Sequence, residues 1–246
     1  VQVHPDDKYA LLHEGESGKT EMWYVMDATP DATLIYGFTH EISHQEFERR
    51  IKDNTLLEVC NQVPIKKGDV FFIEAGTLHA IGAGALIAEI QQSSNSTYRV
   101  YDYGRVGKDG KLRELHIEKA LAVTKLEPPT RKPEPIAKLT AFADYDLTIL
   151  AQCELFNVSH FDLHGNCSLN AKKDSFHSIL VLDGQIALTY GNDSFTITKG
   201  VSVFIPADMG EYILNGTGEF ILITCIFYTS DAADTLTLVV TDLLLT

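Results

Sequence analysis

Near the start of the chain an amide and an imidazole stand two residues apart, in Gln2-Val3-His4. In an extended strand such positions project from one face. Glu21 follows after a loop, heading the apolar run Met22 to Met26. His79 closes the stretch Gly68-Asp69-Val70-Phe71-Phe72-Ile73-Glu74-Ala75-Gly76-Thr77-Leu78-His79, which reads as a strand, a glycine-bearing turn and the first polar residue of the next strand. Brought together, these side chains offer two imidazoles, one carboxylate and one amide oxygen. Such a mixed nitrogen and oxygen set suits Zn²⁺ with a position left for water or substrate, and Fe²⁺, Mn²⁺ or Co²⁺ also accept it. A single histidine on a strand is more often a packing or surface residue, so the weight lies in the combination.

The elements that must position these residues are mostly strands. Short β-type runs separated by turn residues cover Met22 to Met26, Thr33 to Tyr36, Val70 to Ile73, Leu86 to Ile90 and Thr97 to Tyr101. Residues 43–61 interrupt them: Phe47, Ile51, Leu56, Leu57 and Val59 fall near helical spacing, and Ser43 with Glu46 three residues on forms a capping box, which predicts a helical insertion. A second amphipathic stretch, Ile117 to Val123, leads into four prolines within Lys125 to Pro135, which place a linker at 128–135. Beyond it, Glu21-Met22-Trp23-Tyr24-Val25-Met26-Asp27 is echoed by His177-Ser178-Ile179-Leu180-Val181-Leu182-Asp183, and Gly68–Ile73 by Gly200–Ile205. Two related β-barrels are the expectation, at 1–127 and 136–227, with the metal site in the first. His177 falls where Glu21 sits and Glu211 where His79 sits, but no His-x-His or Gln-x-His precedes them, so the second half reads as non-catalytic. Residues 228–246 lack the turn chemistry seen elsewhere and read as a non-native tail, and Val1-Gln2-Val3-His4 reads as the middle of a strand, so the chain is expected to begin downstream of its natural start.

Composition narrows the function classes. A formal net charge of −14 opposes non-specific binding to nucleic acid or anionic lipid, and an anionic substrate would need a local cluster of cations. No run reaches the roughly 20 apolar residues of a membrane helix, and no signal peptide is visible. Cys60, Cys153, Cys167 and Cys225 show neither CxxC nor CxH spacing and read as reduced thiols of a cytoplasmic protein.

The spacing from Gly68 through Gly76 to His79 is similar to the second cupin motif, with Glu74 where proline is usual; Gln2-x-His4 with Glu21 is similar to the first, with glutamine replacing its first histidine. Gln2 to Asp7, Gly18-Lys19-Thr20-Glu21-Met22-Trp23-Tyr24, Gly76-Thr77-Leu78-His79-Ala80-Ile81, and Glu89 through Arg99 into Tyr101-Asp102 together resemble the type I mannose-6-phosphate isomerases of short bacterial form, over roughly residues 1–224. The resemblance implies an all-β fold of two cupin jelly-roll barrels with a small helical insertion. It assigns Gln2, His4, Glu21 and His79 to one Zn²⁺ per chain, and mannose 6-phosphate and fructose 6-phosphate as the small-molecule partners, in a cytoplasmic monomer or weak homodimer with no nucleic-acid or membrane partner. Arg99 corresponds to the family's active-site arginine, and a permanently charged fork suits an enediolate or a phosphate. Lys19 matches a family lysine and shares the strand face of Glu21. Glu89 is a candidate acid/base or, equally, a structural partner of Arg99. Lys66, Lys67 and Arg105 are further sources of positive charge; His13, His40, His44 and His116 receive no role. A non-catalytic carbohydrate-binding cupin and an Fe²⁺ oxygenase are the competing readings. Lys19 and Arg99 beside a complete ligand set argue against a pure binding module, and an amide ligand argues against the oxygenase.

Overall fold

The structure is a computed structural model that describes residues 1–225 and the backbone of a strand at 236–242. The chain divides into two units, Val1–Pro133 with Thr237–Thr246, and Glu134–Leu236. In the first, the order is β1 (Gln2–Val3), α1 (Asp7–His13), β2 (Glu21–Ala28), β3 (Thr33–Phe38), α2 (His44–Lys52), β4 (Cys60–Pro64), β5 (Val70–Ile73), β6 (His79–Ile81), β7 (Ala85–Gln92), β8 (Tyr98–Arg99) and α3 (Ile117–Val123). One antiparallel sheet runs β4-β3-β6-β1-β8. A second runs β7-β2-β5 and is extended at β7 by the strand Leu236–Asp242.

The expected all-β pair of closed jelly-roll barrels is not what forms. The fold is mixed α/β, mostly strand, with several sheets, none closed into a barrel. The physical reason lies in how the five-stranded sheet is buried. On one face Leu34 and Tyr36 share a core with Trp23, Phe71 and Ile87 of the other sheet. On the opposite face Val3, Ile35 and Phe38 pack with Phe47 and Ile51 of α2 and with Ala120 of α3. A sheet covered on both faces is one layer of a stack. Its strands β1, β6 and β8, only two or three residues long, are too short for the tilt and stagger that closure demands.

Within the insertion expected at 43–61, α2 is followed by a single 3₁₀ turn at Leu56–Glu58. Ser43 Oγ accepts a hydrogen bond from the Glu46 amide at 3.1 Å, and Phe47 and Ile51 are buried. The helix ends at Lys52, where Asn54 with φ of 59° breaks the right-handed path, and Cys60–Pro64 is already strand. α1 was not expected at all.

The second unit is one eight-stranded antiparallel sheet made of β9 (Thr140–Ala141), β10 (Tyr145–Gln152), β11 (Phe156–Leu163), β12 (Asn166–Ala171), β13 (His177–Tyr190), β14 (Asp193–Thr198), β15 (Ser202–Ile205) and β16 (Gly210–Cys225). Its path is β14-β13-β16-β11-β10-β9, with β12 on β16 and β15 on β13, around a core that includes Phe161, Val181, Tyr212 and Phe220.

The internal repeat survives at the level of register. Glu21 pairs with Ile73 and Trp23 with Phe71, as His177 pairs with Ile205 and Ile179 with Val203. Both long strands also shift register at equivalent points, between Val25 and Asp27 and between Val181 and Asp183. A bulge at the same place in both copies bends and twists each strand alike. Among the described residues no helix is long and apolar enough to cross a membrane. The tail expected to be non-native, 228–246, lies outside the described residues apart from the backbone of Leu236–Asp242.

Candidate metal centre

Strand register brings three of the singled-out residues into one row. Arg99 of β8 pairs with Gln2 of β1, Gln2 with His79 of β6, and His79 with Tyr36 of β3. Directly opposed residues in an antiparallel sheet point to the same face, here the face that carries Tyr36 into the core between the two sheets. On the other sheet Glu21 lies between Ile73 and Gln91, and Trp23 beside it in the strand pairs with Glu89. His4 is the residue just past the end of β1 rather than within the strand. The turn before His79 is tied to it: the Gly76 amide donates to the His4 carbonyl at 2.8 Å. Gly76 has φ of +88°, and a Cβ there would lie 2.8 Å from the Val123 carbonyl oxygen, so only glycine fits this turn.

His4, Glu21 and His79 are completely buried, and their ligand atoms lie within 4.8 Å of one another. The hydrogen bonds outside the cluster define what faces into it. His4 Nδ1 donates to the Ser96 carbonyl at 2.8 Å and His79 Nδ1 donates to the Thr77 carbonyl at 2.8 Å. With the protons on Nδ1, both Nε2 atoms are bare lone pairs. They face the same carboxylate, His4 Nε2 at 3.0 Å from Glu21 Oε1 and His79 Nε2 at 3.8 Å from Glu21 Oε2. His4 Nε2 and Glu21 Oε1 are buried without a well-formed hydrogen bond. Acceptors converging on one another in a buried space are an arrangement that a cation satisfies. Burial also pushes the His79 imidazolium down to about 3, so the ring stays neutral. Burial alone would raise the Glu21 carboxyl, and the Lys19 ammonium beside it favours the ionised form. Gln2 donates its amide N–H to His79 Nε2 at 3.2 Å, and a half-turn of that amide would present its oxygen to the same point. The residues therefore fit a divalent metal: two neutral imidazoles oriented by backbone carbonyls, one carboxylate and one amide.

Lys19 and Glu89 border this cluster. Lys19 Nζ lies 3.1 Å from Glu21 Oε1. Its loop is fixed by the Lys19 amide donating to the Pro5 carbonyl at 3.0 Å, and by Asp7 Oδ1 accepting from Gly18 N and from Gln92 Nε2. Gln92 in turn accepts from the Thr20 amide at 2.8 Å. Burial, then the charge and hydrogen bond of Glu21, push the Glu89 carboxyl up, toward the protonated form. Trp23 Nε1 donates to Glu21 Oε2 at 3.1 Å and packs edge-on against His79. The sequence reading missed Trp23 as a site residue, though its place two residues after Glu21 on one strand put it on the same face.

Arg99 occupies the row position beside Gln2, while its guanidinium reaches the Glu114 carbonyl at 3.1 Å and approaches Asp102 at 3.9 Å. Asp102 is also gripped by Arg113, while the Arg105 guanidinium lies over the Tyr103 ring and adds its positive charge to the region. Two guanidinium groups, of Arg99 and Arg113, thus approach one carboxylate. Lys66 lies apart from this group, paired with Asp69.

The chain is similar to known proteins over most of its length. A family model described as mannose-6-phosphate isomerase, cupin domain, matches residues 146–225. Mannose-6-phosphate isomerase ManA of Bacillus subtilis is 39% identical over 223 residues, covering 90% of this chain and 70% of the relative. A mannose-6-phosphate isomerase of Streptococcus mutans is 36% identical over 222 residues, covering 90% and 68%. The crystal structure of the mannose 6-phosphate isomerase from Bacillus subtilis superimposes with a TM-score of 0.82 at 35% identity, covering 90% of this chain and 70% of that one. With identity at this level spread over both units, the chain belongs to the mannose-6-phosphate isomerase family.

Proposed function

We propose that this protein is a metal-dependent aldose–ketose isomerase that interconverts mannose 6-phosphate and fructose 6-phosphate, with one Zn²⁺ held by Gln2, His4, Glu21 and His79. The observation that carries this reading is the pair of unprotonated, buried imidazole nitrogens facing Glu21. The relatives' names supply the reaction. The isomerisation moves a proton between C1 and C2 through a cis-enediol, and the negative charge that develops on oxygen must be stabilised. A bound Zn²⁺ supplies Lewis-acid polarisation of the substrate oxygens.

The chain's own residues divide the remaining work. Glu89 stands at the edge of the cluster with its carboxyl raised by burial and by Glu21, which suits a group that moves a proton to or from carbon or oxygen. Lys19 holds a sugar oxygen or assists ring opening from its position beside Glu21. Arg99, with Arg105 and Arg113 around Asp102, meets the demand for local positive charge that an overall charge of −14 imposes on an anionic substrate. The first unit is the catalytic one, spanning 1–127 with its linker at 128–135. The second, 136–227, is non-catalytic: His177 Nδ1 is engaged by the Tyr212 hydroxyl at 2.8 Å, and among the described residues the ligand cluster is confined to the first unit. The protein acts as a monomer or weak homodimer in the cytoplasm, where its four cysteines remain reduced.

A coupled assay for fructose 6-phosphate formed from mannose 6-phosphate tests the reading. Turnover is expected to vanish on chelation and return with Zn²⁺; turnover that survives complete metal removal would overturn it.

A further inference from the structure

We infer that His116 is the positioning residue for Arg99, an inference that rests on the isomerase reading above. β8 is two residues long and ends the five-stranded sheet, with β1 as its sheet neighbour. Both main-chain groups of Arg99 point away from β1. Its N–H donates to His116 Nδ1 at 3.2 Å, and its C=O accepts from the His116 amide at 2.8 Å. An antiparallel residue whose N–H and C=O face outward belongs to a non-hydrogen-bonded pair, in which the opposed side chains approach most closely. The opposed residue is Gln2. His116 therefore stands in for the missing strand, satisfying both edge groups of Arg99 and holding its side chain next to a metal-site residue.

The local structure of His116 points the same way. It occupies the N-cap position of α3, where a side chain ordinarily accepts a hydrogen bond from the first turn of its own helix. His116 makes no such cap bond. Its acceptor is directed to Arg99 instead, a local rule set aside in favour of a long-range contact. Accepting at Nδ1 leaves the ring proton on Nε2. Two residues earlier, the Glu114 carbonyl takes the Arg99 guanidinium, so one segment grips Arg99 at both main chain and head group. α3 anchors that segment through buried Ala120.

The test separates positioning from general support. His116→Ala is expected to lower kcat about 10- to 100-fold, as small misplacements of catalytic groups do, with metal content unchanged. His116→Asn sets an amide oxygen where Nδ1 was and is expected to restore most of the rate; His116→Gln carries its oxygen one bond too far and is expected not to. On an Arg99→Lys background the further loss from His116→Ala should shrink below about twofold, because both changes act through one group. A wild-type rate in His116→Ala, an Asn variant no better than the Gln variant, or fully additive losses would each overturn the inference. If the Ala variant does not fold, the Asn and Gln pair still decides. Absence of metal-dependent turnover in the wild type would be the failure of the isomerase reading alone. Amide exchange at Arg99, expected to accelerate at least about tenfold in His116→Gln relative to His116→Asn when its acceptor is displaced, remains decisive in that case, and equal exchange in the two would overturn the inference.

Discussion

His79→Ala is expected to lose metal and turnover together. His79 contributes a neutral imidazole whose Nδ1 is locked to the Thr77 carbonyl, so no other group in the turn can replace Nε2. Loss of a residue that merely orients a metal ligand weakens metal binding or activity by about 10- to 100-fold, so loss of the ligand itself should exceed about 100-fold. The substitution also opens a small void beside the Glu21 and His4 pair. Stability will therefore fall modestly, and the variant must be compared with metal-stripped wild type rather than with the loaded protein. Equilibrium dialysis against Zn²⁺ with turnover measured on the same samples checks this. A variant that binds one equivalent tightly would show that His79 is not a ligand.

Arg99→Ala is expected to separate the two properties: metal retained, turnover lost. Its guanidinium touches Glu114 and Asp102 rather than the ligand cluster, so removing it leaves His4, Glu21 and His79 undisturbed. Removing one preorganised donor to a developing oxyanion typically lowers kcat about 10²- to 10³-fold. The same range applies here if Arg99 serves the enediolate, with kcat falling more than KM rises. A large rise in KM at unchanged kcat would instead assign Arg99 to the phosphate, where binding is equally strong in ground and transition states. Arg99→Lys should recover little, because an ammonium cannot reproduce the planar fork.

The convergence of these residues was legible because they begin or flank strands, where alternation and turn glycines fix which side chains share a face. Gln2, Glu21 and His79 fall where that reading put them, and His4 misses only by lying one residue beyond β1. The layered arrangement was not anticipated, although a sign of it was present. Leu34-Ile35-Tyr36-Gly37-Phe38 shows no alternation, and an unbroken apolar run marks a strand buried on both faces, as under helices. Barrel closure depends on strand tilt and on which edges hydrogen-bond, and neither leaves a mark in residue pattern. α1 escaped because it buries a single residue, Ala10, and so has no apolar period; Asp6, whose side chain accepts from the Tyr9 amide, was its one signal. His116 escaped for a different reason. Its partner lies 17 residues away across an edge that only the folded register defines.

The central claim, that the buried cluster is a metal centre built from nitrogen and oxygen ligands of the first unit, is tested most directly by X-ray absorption at the zinc edge of the loaded protein. The account predicts a first shell of nitrogen and oxygen at about 2.0–2.1 Å with the outer-shell scattering of two imidazoles, and its loss in His79→Ala. A sulfur shell at about 2.3 Å would place the metal on cysteine thiolates instead and contradict a nitrogen and oxygen centre.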